Sequence, residues 1–561
     1  MKIKLYILFV LFALLLSNQI AYAEISSVDN FGKIAIMENG RIKPLDTFAE
    51  NMLKQFSGIG KHDNKDAIEW LVKVLLVPEK SKEDKVFLIT NIEVLDSIGI
   101  KRVGKARNRY SYNQLLPGLG KLRQVAMSIS RTNRQDRDIT ENEIISLYNR
   151  IYVYNQLMMS FKFLEKSENF NSRAYEGLPL TIIPADKDNK KWISAWDSFM
   201  NNAKDITKSK KLMALSELYN AYLKGDQAKF DKSILNFKNA VKGKNNFVNE
   251  KKIDYEVLYN RIDPFYKSKF FFGFSIIFLL FSFVFLKEWF YRLSLFLLSS
   301  GFLLTLFGVI LRMYIRSRPP VTNLYETFVF TGLTTALLGI ILEIFKKRNI
   351  GIFTGSFASF VMLMIASKYA LEGDTMGMLV AVLDSNFWLA FHVITIMLGY
   401  AGIVLSGVIG HVYIIQKIFM PDNDKLLKDS MQSIYSIQAF GLVFTFLGTV
   451  LGGIWADQSW GRFWGWDPKE NGALLVLLWS AILFHAKIAK MIKHTGYAFG
   501  TVVGVIFVAL AWFGVNLLGV GLHSYGFTSG IARSLFLFVG IELIFIIITG
   551  AMLKFGEKRL N

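Results

Sequence analysis

Polar and apolar residues are distributed differently in the two parts of this chain. Up to about residue 268, apolar positions recur at helical spacing among many charged residues, whereas long and nearly uncharged apolar stretches follow from Phe270. A helix needs about 20 mostly apolar residues to cross a bilayer. Nine stretches approach or exceed this length: 270–286, 293–314, 325–345, 351–367, 387–414, 433–454, 472–489, 496–519 and 534–553. The pattern predicts a mainly α-helical protein, in which residues 269–561 form a bundle of about nine transmembrane helices.

The polar part, residues 24–268, predicts a soluble and mostly helical domain. It opens with a predicted two-stranded hairpin, IAIMENGRIKPL, around the Asn39-Gly40 turn. Four later segments have helical period: DAIEWLVKVLL, YNQLLPGLGKLRQVAMSI, ENEIISLYNRIYVYNQLMMSFKFL and KLMALSELYNAYL. No catalytic constellation stands out in this domain.

The first 23 residues are typical of a secretory signal. Lys2 and Lys4 precede an apolar core, and Ala21-Tyr22-Ala23 fits a small-x-small cleavage site. The alternative is a membrane anchor that is retained. Either reading predicts that the soluble domain is exported.

The distribution of lysines and arginines over the loops agrees with a soluble domain on the outer side of the membrane. Segments assigned to the inside hold fourteen lysines and arginines, and those assigned to the outside hold seven, which fits the positive-inside rule. The net charge of +20 is not gathered in a basic run with interleaved aromatics, which argues against nucleic acid as a partner. The chain has no cysteine, which excludes disulfides, cysteine-bound metals and a thiol nucleophile.

The segment WADQSWGRFWGWDPKEN, Trp455 to Asn471, carries four of the eleven tryptophans. It falls in a predicted outer loop between the sixth and seventh helices. Asp467, Pro468 and Glu470 predict a capped helix start with a capping box. The tryptophans fit either of two roles: anchors at the membrane interface, or a surface that holds a flat ligand.

Two histidines lie on the same predicted outer side as this loop. His392 is near the outer start of the fifth helix, and His523 is in the loop after the eighth. Two imidazoles beside an aromatic surface suit the axial positions of a haem iron. The carboxylates of haem would need cations, for which the candidates are Arg462, Lys469, Arg316 and Arg318. Contact with lipid headgroups is the alternative for each cation.

Three ionisable residues are predicted deep in the membrane. His485 lies 17 residues along the seventh helix from Pro468, about 25 Å from its outer end. His411 is similarly deep on the fifth helix. Glu542, in the middle of the ninth, is a functional candidate because of its depth, although a structural hydrogen bond is the preferred interpretation.

The tryptophan segment also carries a family resemblance. WGRFWGWDPKE, followed by Trp479 and His485, resembles the tryptophan-rich WWD signature of the CcsA/ResC family of cytochrome c biogenesis proteins. RPPVTNLYET, FHVITIMLGYAG and GVGLHSYGF resemble the other landmarks of that family, in the same order. The resemblance covers about residues 290–553.

The resemblance implies a multi-pass protein of the bacterial cytoplasmic membrane in the System II pathway. Such a protein receives haem b at an inner site, passes it to the outer WWD surface, and supports thioether attachment to Cys-x-x-Cys-His of apocytochrome c. It would be a subunit of a cytochrome c synthase (haem lyase), with apocytochrome c and thiol-reducing proteins as partners. Two alternatives remain: a haem exporter or chaperone without ligation activity, and a haem-bearing electron-transfer subunit.

The resemblance also assigns residues. His392 and His523 match the external ligands of the haem iron, and His485 matches the histidine of the inner site. The haem-contacting core of the motif falls on Trp460, Trp464, Trp466 and Asp467. No catalytic residue is assigned.

The chain departs from the family pattern at several positions. Gly472 stands where many members have tryptophan, and Phe463 where tyrosine is usual. The second inner histidine of the family comes from a ResB/CcsB partner or from a fused segment, and the first two predicted helices here contain no histidine. Either a separate partner supplies it, which is the preferred interpretation, or His411 does.

Overall fold

A computed structural model describes residues 25–104, 107–133, 136–165, 179–185, 191–202, 204–242, 248–370, 373–377, 385–517 and 531–560. The chain forms two compact units. The first comprises Met1–Arg261 and Leu371–Met378, and the second comprises Ile262–Ala370 and Leu379–Asn561. The signal segment and His523 lie outside the described residues.

The strands of the described chain lie in the first unit. They are β1 Ala35–Glu38, β2 Arg41–Pro44, β3 Lys61–His62, β4 Lys65–Asp66, β5 Lys85–Ile89, β6 Asn108–Ser111, β7 Thr181–Pro184 and β8 Trp192–Ser194. One antiparallel sheet has the order β2-β1-β7-β8, and β3–β4 and β5–β6 form separate pairs. The predicted hairpin is confirmed: Asn39 and Gly40 connect β1 to β2 with φ of 50° and 78°, as a two-residue turn requires.

Helices make up most of the first unit. The longer ones are Leu45–Ser57, Ala67–Leu76, Ile92–Ile98, Leu119–Ile129, Ile139–Met159, Ala195–Asn201, Lys210–Leu223, Gln227–Lys242 and Glu250–Ile262. Single turns lie at Asp29–Gly32, Pro78–Ser81, Tyr112–Leu115, Leu116–Gly118, Lys162–Leu164 and Ile206–Lys208. The four helical segments predicted from periodicity are confirmed, although a 3₁₀ turn at Pro117 divides the second, and the helix of the third ends at Met159, before its last five residues. Their apolar faces meet in one core around Phe48, Phe87 and Tyr154.

A buried network of charges lies at one end of this core. Arg41 on β2 contacts Glu256 at 2.8 Å and Asp374 at 2.9 Å. Lys43, which is fully buried, contacts Asp374 at 3.0 Å and also pairs with Glu38. Burial by itself would raise the pKa of Asp374, but Arg41 and Lys43 outweigh it and hold that pKa well below its ordinary value.

We expect Asp374→Asn to lower the free energy of unfolding of the first unit by about 3–5 kcal/mol at pH 7, because it removes the buried carboxylate that Arg41 and Lys43 share. Since the pKa of Asp374 is depressed in the folded state, its contribution is complete above the unfolded pKa, near 4. It is lost as the pH falls below that value. Thermal unfolding of the full chain at pH 7 and pH 3 measures both effects.

Glu79→Gln is the matched control, because Glu79 is exposed and pairs with Lys82 on the surface. Glu79→Gln should lower the free energy of unfolding by less than about 1 kcal/mol. Equal stability of Asp374→Asn and the wild type at pH 7 would contradict the prediction.

The second unit is the membrane unit. Among the described residues, nine helices are long and apolar enough to cross a membrane, which confirms the predicted bundle and makes the chain a multi-pass membrane protein. In chain order, spans 1 to 9 are Glu250–Ser282, Lys287–Arg316, Leu324–Lys346, Ile350–Tyr369, Asn386–Phe419, Asp424–Trp460, Pro468–Ile488, His494–Gly514 and Ala532–Phe555. Span 1 joins helix Glu250–Ile262 to helix Pro264–Ser282, and the last helix runs over Ile531–Leu560.

Two of the spans contain a π-helical turn. In span 5 this turn covers Leu389–Val393 and lies between Asn386–Trp388 and the long helix Ile394–Phe419. In span 8 it covers Leu510–Gly514, after helix His494–Ala509 and before the turn Val515–Leu517. Such turns are rare and frequently mark functional sites.

Span 5 packs closely against two neighbours through glycines. A Cβ added to Gly399 would lie 2.5 Å from the backbone nitrogen of Thr445 on span 6. A Cβ added to Gly410 would lie 2.5 Å from Thr501 Oγ1 on span 8. These contacts bring the backbones together and place the start of span 5 beside the end of span 6.

Candidate functional site at the tryptophan end

The tryptophan-rich segment connects spans 6 and 7. Span 6 ends at Trp460, and Gly461 caps it with φ of 69° while its N–H donates to Asp457 O at 2.8 Å. Trp460 and Trp464 are half buried, whereas Trp466 has a positive φ of 58° and is 70% exposed. We call the end of the bundle that carries this segment the tryptophan end.

The predicted cap of span 7 is confirmed. Asp467, which is buried, accepts from the backbone N–H of Lys469 at 3.0 Å, and Pro468 occupies the first helical position. Glu470 Oε2 accepts from the N–H of Asp467 at 3.2 Å and from the N–H of Gly465 at 2.7 Å. One carboxylate therefore holds both the helix start and the loop before it.

Arg462, a predicted haem-carboxylate cation, lies against this loop. Its Nη1 is 3.5 Å from Glu470 Oε1, and its guanidinium carbon is 5.8 Å from the centre of the Trp460 ring. A Cβ on Gly465 would overlap Arg462 Nη1, at 1.0 Å, so a larger residue there would displace the guanidinium. Part of the charge of Arg462 is therefore neutralised within the loop.

The indoles do not form one flat surface. Trp464 and Trp466 meet edge to face, with ring centres 6.1 Å apart and planes at 88°. A planar ligand can stack on only one of these two indoles at a time. Because they are perpendicular, these two indoles do not present one continuous flat surface to a ligand.

His392 lies at the same end, against span 6. It belongs to the π turn of span 5, and its Nδ1 is 2.8 Å from the carbonyl oxygen of Gly448. A carbonyl oxygen only accepts hydrogen bonds, so Nδ1 carries the hydrogen. In the neutral imidazole the lone pair is then on Nε2, the arrangement usual for a histidine that ligates a metal.

Further contacts connect the start of span 5 with span 6 and with the end of span 2. The Nε1–H of Trp388 donates to Gln458 Oε1 at 3.0 Å, and Trp388 stacks on Trp455 with planes at 12° and centres 6.3 Å apart. Trp455 in turn packs against His392, with centres 5.7 Å apart. Asn386 reaches the carbonyl of Ser317, at the end of span 2, at 3.5 Å.

That end of span 2 carries the predicted cations Arg316 and Arg318. Glu326 on span 3, which is 4% exposed, accepts from Arg312 Nη2 at 2.7 Å and from Arg316 Nη1 at 3.0 Å. Its other oxygen accepts from the N–H and hydroxyl of Thr322, at 2.9 and 2.6 Å. Arg316 therefore belongs to a buried structural network, a use that its position in the sequence did not indicate.

Away from the tryptophan end, two histidines face different partners. His485 on span 7 is exposed, and its Nδ1 is bonded to Ala481 O at 2.8 Å, which again leaves the lone pair on Nε2. His411 on span 5 uses both nitrogens: Nδ1 is bonded to Gly407 O at 2.8 Å and Nε2 to Glu542 Oε2 at 2.9 Å. Glu542 thus has the structural hydrogen bond that was the preferred interpretation.

We expect Glu542→Ala to destabilise the membrane unit by about 1–3 kcal/mol, because His411 Nε2 loses its partner in an apolar surrounding. Glu542→Gln should lose less, since the amide can still donate to the imidazole. The thermal midpoint of the full chain in detergent micelles measures both. Equal losses for the two variants would contradict this account of the hydrogen bond.

The structure thus brings together most of the predicted site. His392, Trp460, Trp464, Trp466, Asp467, Arg462 and Lys469 lie at the tryptophan end, and His485 lies apart on span 7. Among the described residues, no group of three or more histidines and carboxylates could hold a metal ion. The pairing of His392 with His523 stays a prediction, because His523 lies outside the described residues.

Sequence reasoning missed the residues that surround His392. Gly448, Gly452, Trp455 and Gln458 all follow one face of span 6, at spacings of three and four residues. This spacing of small and aromatic residues is the signal that could have identified them, because residues three and four apart share a helix face.

Comparison with known proteins agrees with the resemblance seen in the sequence. Residues 321–523 match the family model described as cytochrome C assembly protein. A "Cytochrome c biogenesis protein CcsA" from Trachelium caeruleum is 28% identical over 277 residues, which are 43% of this chain and 85% of that protein. A CcsA from Coffea arabica is 28% identical over 250 residues, 37% of this chain and 77% of that protein.

One relative extends the similarity into the first unit. Protein NrfI of Wolinella succinogenes is 25% identical over 514 residues, which are 88% of this chain. The match spans 54% of NrfI, about half its length. Similarity to this relative is therefore not confined to the membrane unit.

Proposed function

Because residues 321–523 of this chain match the cytochrome C assembly protein family model, we propose that the protein moves haem to the outer face of the membrane and supports its thioether attachment to Cys-x-x-Cys-His of apocytochrome c. Haem is the substrate in this proposal. The exported first unit and the tryptophan end would lie on the outer side, as the charge distribution favours.

The observation that carries the proposal is the state of His392. Its Nδ1–H is directed to Gly448 O, so Nε2 is the nitrogen that can bind iron. An imidazole held in this way lies at the same end as an exposed tryptophan and two half-buried ones. Indole faces suit the large apolar face of a porphyrin, and we propose His523 as the second axial ligand.

Attachment needs little chemistry from this chain. Each thiol of the apocytochrome adds across a haem vinyl group: the S–H bond and the π bond break, a C–S bond and a C–H bond form, and no electrons are gained or lost. The chain has no cysteine that could compete for the vinyl groups. Its residues would hold haem and peptide in a near-attack arrangement, which is worth several kcal/mol of the barrier.

Two cations at the tryptophan end are proposed to face the haem carboxylates. Arg462 and Lys469 flank the cap of span 7, and Lys469 lies in its first turn. Either cation would add positive charge beside a haem carboxylate, and Arg462 also contacts Glu470 at 3.5 Å. Asp467 acts through the helix cap and fixes the indoles beside it.

His485 is proposed as the haem ligand of the inner site. The hydrogen bonds of His411 argue against it as the second ligand there, because both of its nitrogens are already engaged. We therefore propose that a ResB/CcsB-like membrane protein supplies that ligand. Apocytochrome c and thiol-reducing proteins are the other proposed partners.

Co-expression with a reporter tests the function. The chain and an apocytochrome c are expressed with and without a ResB/CcsB-like protein, in cells without their own maturation system, and covalent haem is stained after denaturing electrophoresis. Haem fixed to the reporter supports the proposal. If haem is bound only to this chain, the protein is a haem carrier and the proposed attachment role is wrong. If neither protein holds haem, both the attachment role and the carrier role are wrong.

A further inference from the structure

His392 is held from one side by a flat surface of span 6. A Cβ on Gly448 would lie 2.7 Å from Ile396 Cα, and a Cβ on Gly452 would lie 2.6 Å from His392 Cε1. Carbon atoms do not approach so closely, so an alanine at 452 would force the imidazole to swing away. That movement would break the 2.8 Å bond from Nδ1 to Gly448 O, which is what decides the tautomer.

A series of aromatic contacts also packs against the imidazole. Trp455 packs on His392, Trp388 stacks on Trp455, and Gln458 accepts the indole N–H of Trp388 at 3.0 Å. Gln458 and Trp455 both come from the end of span 6, so the helix that supplies Gly448 and Gly452 supplies these contacts as well. The imidazole is thereby restricted in rotation as well as in tautomer.

We propose that Gly452 and Gln458 are positioning residues that hold His392 with Nε2 directed to haem iron; this proposal rests on the proposed function. Gly452 acts by leaving room for the ring, and Gln458 acts by anchoring Trp388 behind Trp455. Neither residue touches the substrate. A ligand fixed beforehand binds with less loss of side-chain entropy than one that rotates freely.

Absorption spectra of the purified full chain with haem test the proposal. Gly452→Ala should lower the affinity for haem and the fraction with the low-spin spectrum by about 10-fold, the usual scale for a group that orients a metal ligand. Added imidazole should restore the spectrum. Gln458→Leu should also lower the low-spin fraction. Gln458→Glu should resemble the wild type, because its carboxylate still accepts the indole N–H of Trp388.

Two controls separate positioning from damage to the fold. Gly540→Ala in span 9 adds a Cβ to open space and should leave the spectrum unchanged. In a His392→Ala background supplied with imidazole, Gly452→Ala should change nothing further, because free imidazole is not attached to span 5 and can bind iron clear of the added methyl group. A loss of haem there as well would overturn the proposal and assign Gly452 a purely structural role.

The same spectra distinguish failure of the positioning role from failure of the proposed function. If His392→Ala keeps the low-spin spectrum of the wild type, the proposed function itself fails. If His392→Ala loses that spectrum but Gly452→Ala keeps it, the function stands and the positioning role is overturned.

Discussion

His392→Ala should abolish the low-spin spectrum of bound haem and lower covalent haem on a reporter cytochrome by more than about 10-fold. Even a change in the group that orients a metal ligand usually costs 10–100-fold, and this variant removes the proposed ligand itself. Added imidazole should restore part of both signals, since a free imidazole can occupy the vacated position. Spectroscopy of the purified chain and haem staining of the reporter measure the two effects.

The matched control is His494→Ala. His494 begins span 8, next to Lys487 at the end of span 7, and therefore lies at the end of the bundle opposite the tryptophan segment. This variant should keep wild-type haem binding. A normal spectrum in His392→Ala, or an equal loss in both variants, would remove the reason for assigning iron to His392.

Glu326→Gln should lower the free energy of unfolding of the membrane unit by about 3–5 kcal/mol, the usual effect of removing one member of a buried ion pair. Glu326 is 4% exposed and accepts from Arg312, Arg316 and Thr322. The amide has one acceptor oxygen in place of two charged ones, so two buried guanidinium groups lose their counter-charge. The thermal midpoint of the full chain in detergent micelles should fall sharply.

Glu288→Gln is the control for this variant. Glu288 contacts Arg292 at 3.4 Å, but both side chains are more than 70% exposed. An exposed pair four residues apart on a helix is worth only about 0.3–0.5 kcal/mol. If the two glutamate variants unfold at the same temperature, the buried network does not stabilise the bundle in the way that its contacts indicate.

Local signals in the sequence were sufficient to predict several parts of the structure. The spans follow from apolar length, the hairpin from Asn39-Gly40, and the start of span 7 from Asp467, Pro468 and Glu470. Each depends on residues that are close together in the chain, and physical rules for turns, caps and membrane thickness apply to them directly.

Contacts between distant residues could not be predicted in the same way. The bond from His411 to Glu542 and the pairing of Arg41 with Asp374 join residues 131 and 333 positions apart. The first contact depends on which helix faces meet, and apolar periodicity in a membrane helix says little about that, because lipid and protein neighbours are both apolar. The second joins strand β2 to a residue between spans 4 and 5, and no local pattern in the sequence connects the two.

The candidate site shows both situations. The sequence placed His392 and the tryptophan loop on the same predicted side, and the structure puts them at the same end of the bundle. The sequence did not predict that the imidazole packs against Gly448 and Gly452, nor that Arg316 pairs with Glu326. These facts depend on the close approach of spans 5 and 6 and of spans 2 and 3.

The π turn at Leu389–Val393 has a consequence for how relatives of this chain are compared. A π turn holds about one residue more than an α turn, so it offsets everything before it by roughly 100° around the helix axis. Counting helical positions outward from the middle of span 5 therefore places Phe387 and Trp388 on the wrong side. A homologue that is one residue shorter here would present a different side chain to Gln458, even if every other position aligned without a gap.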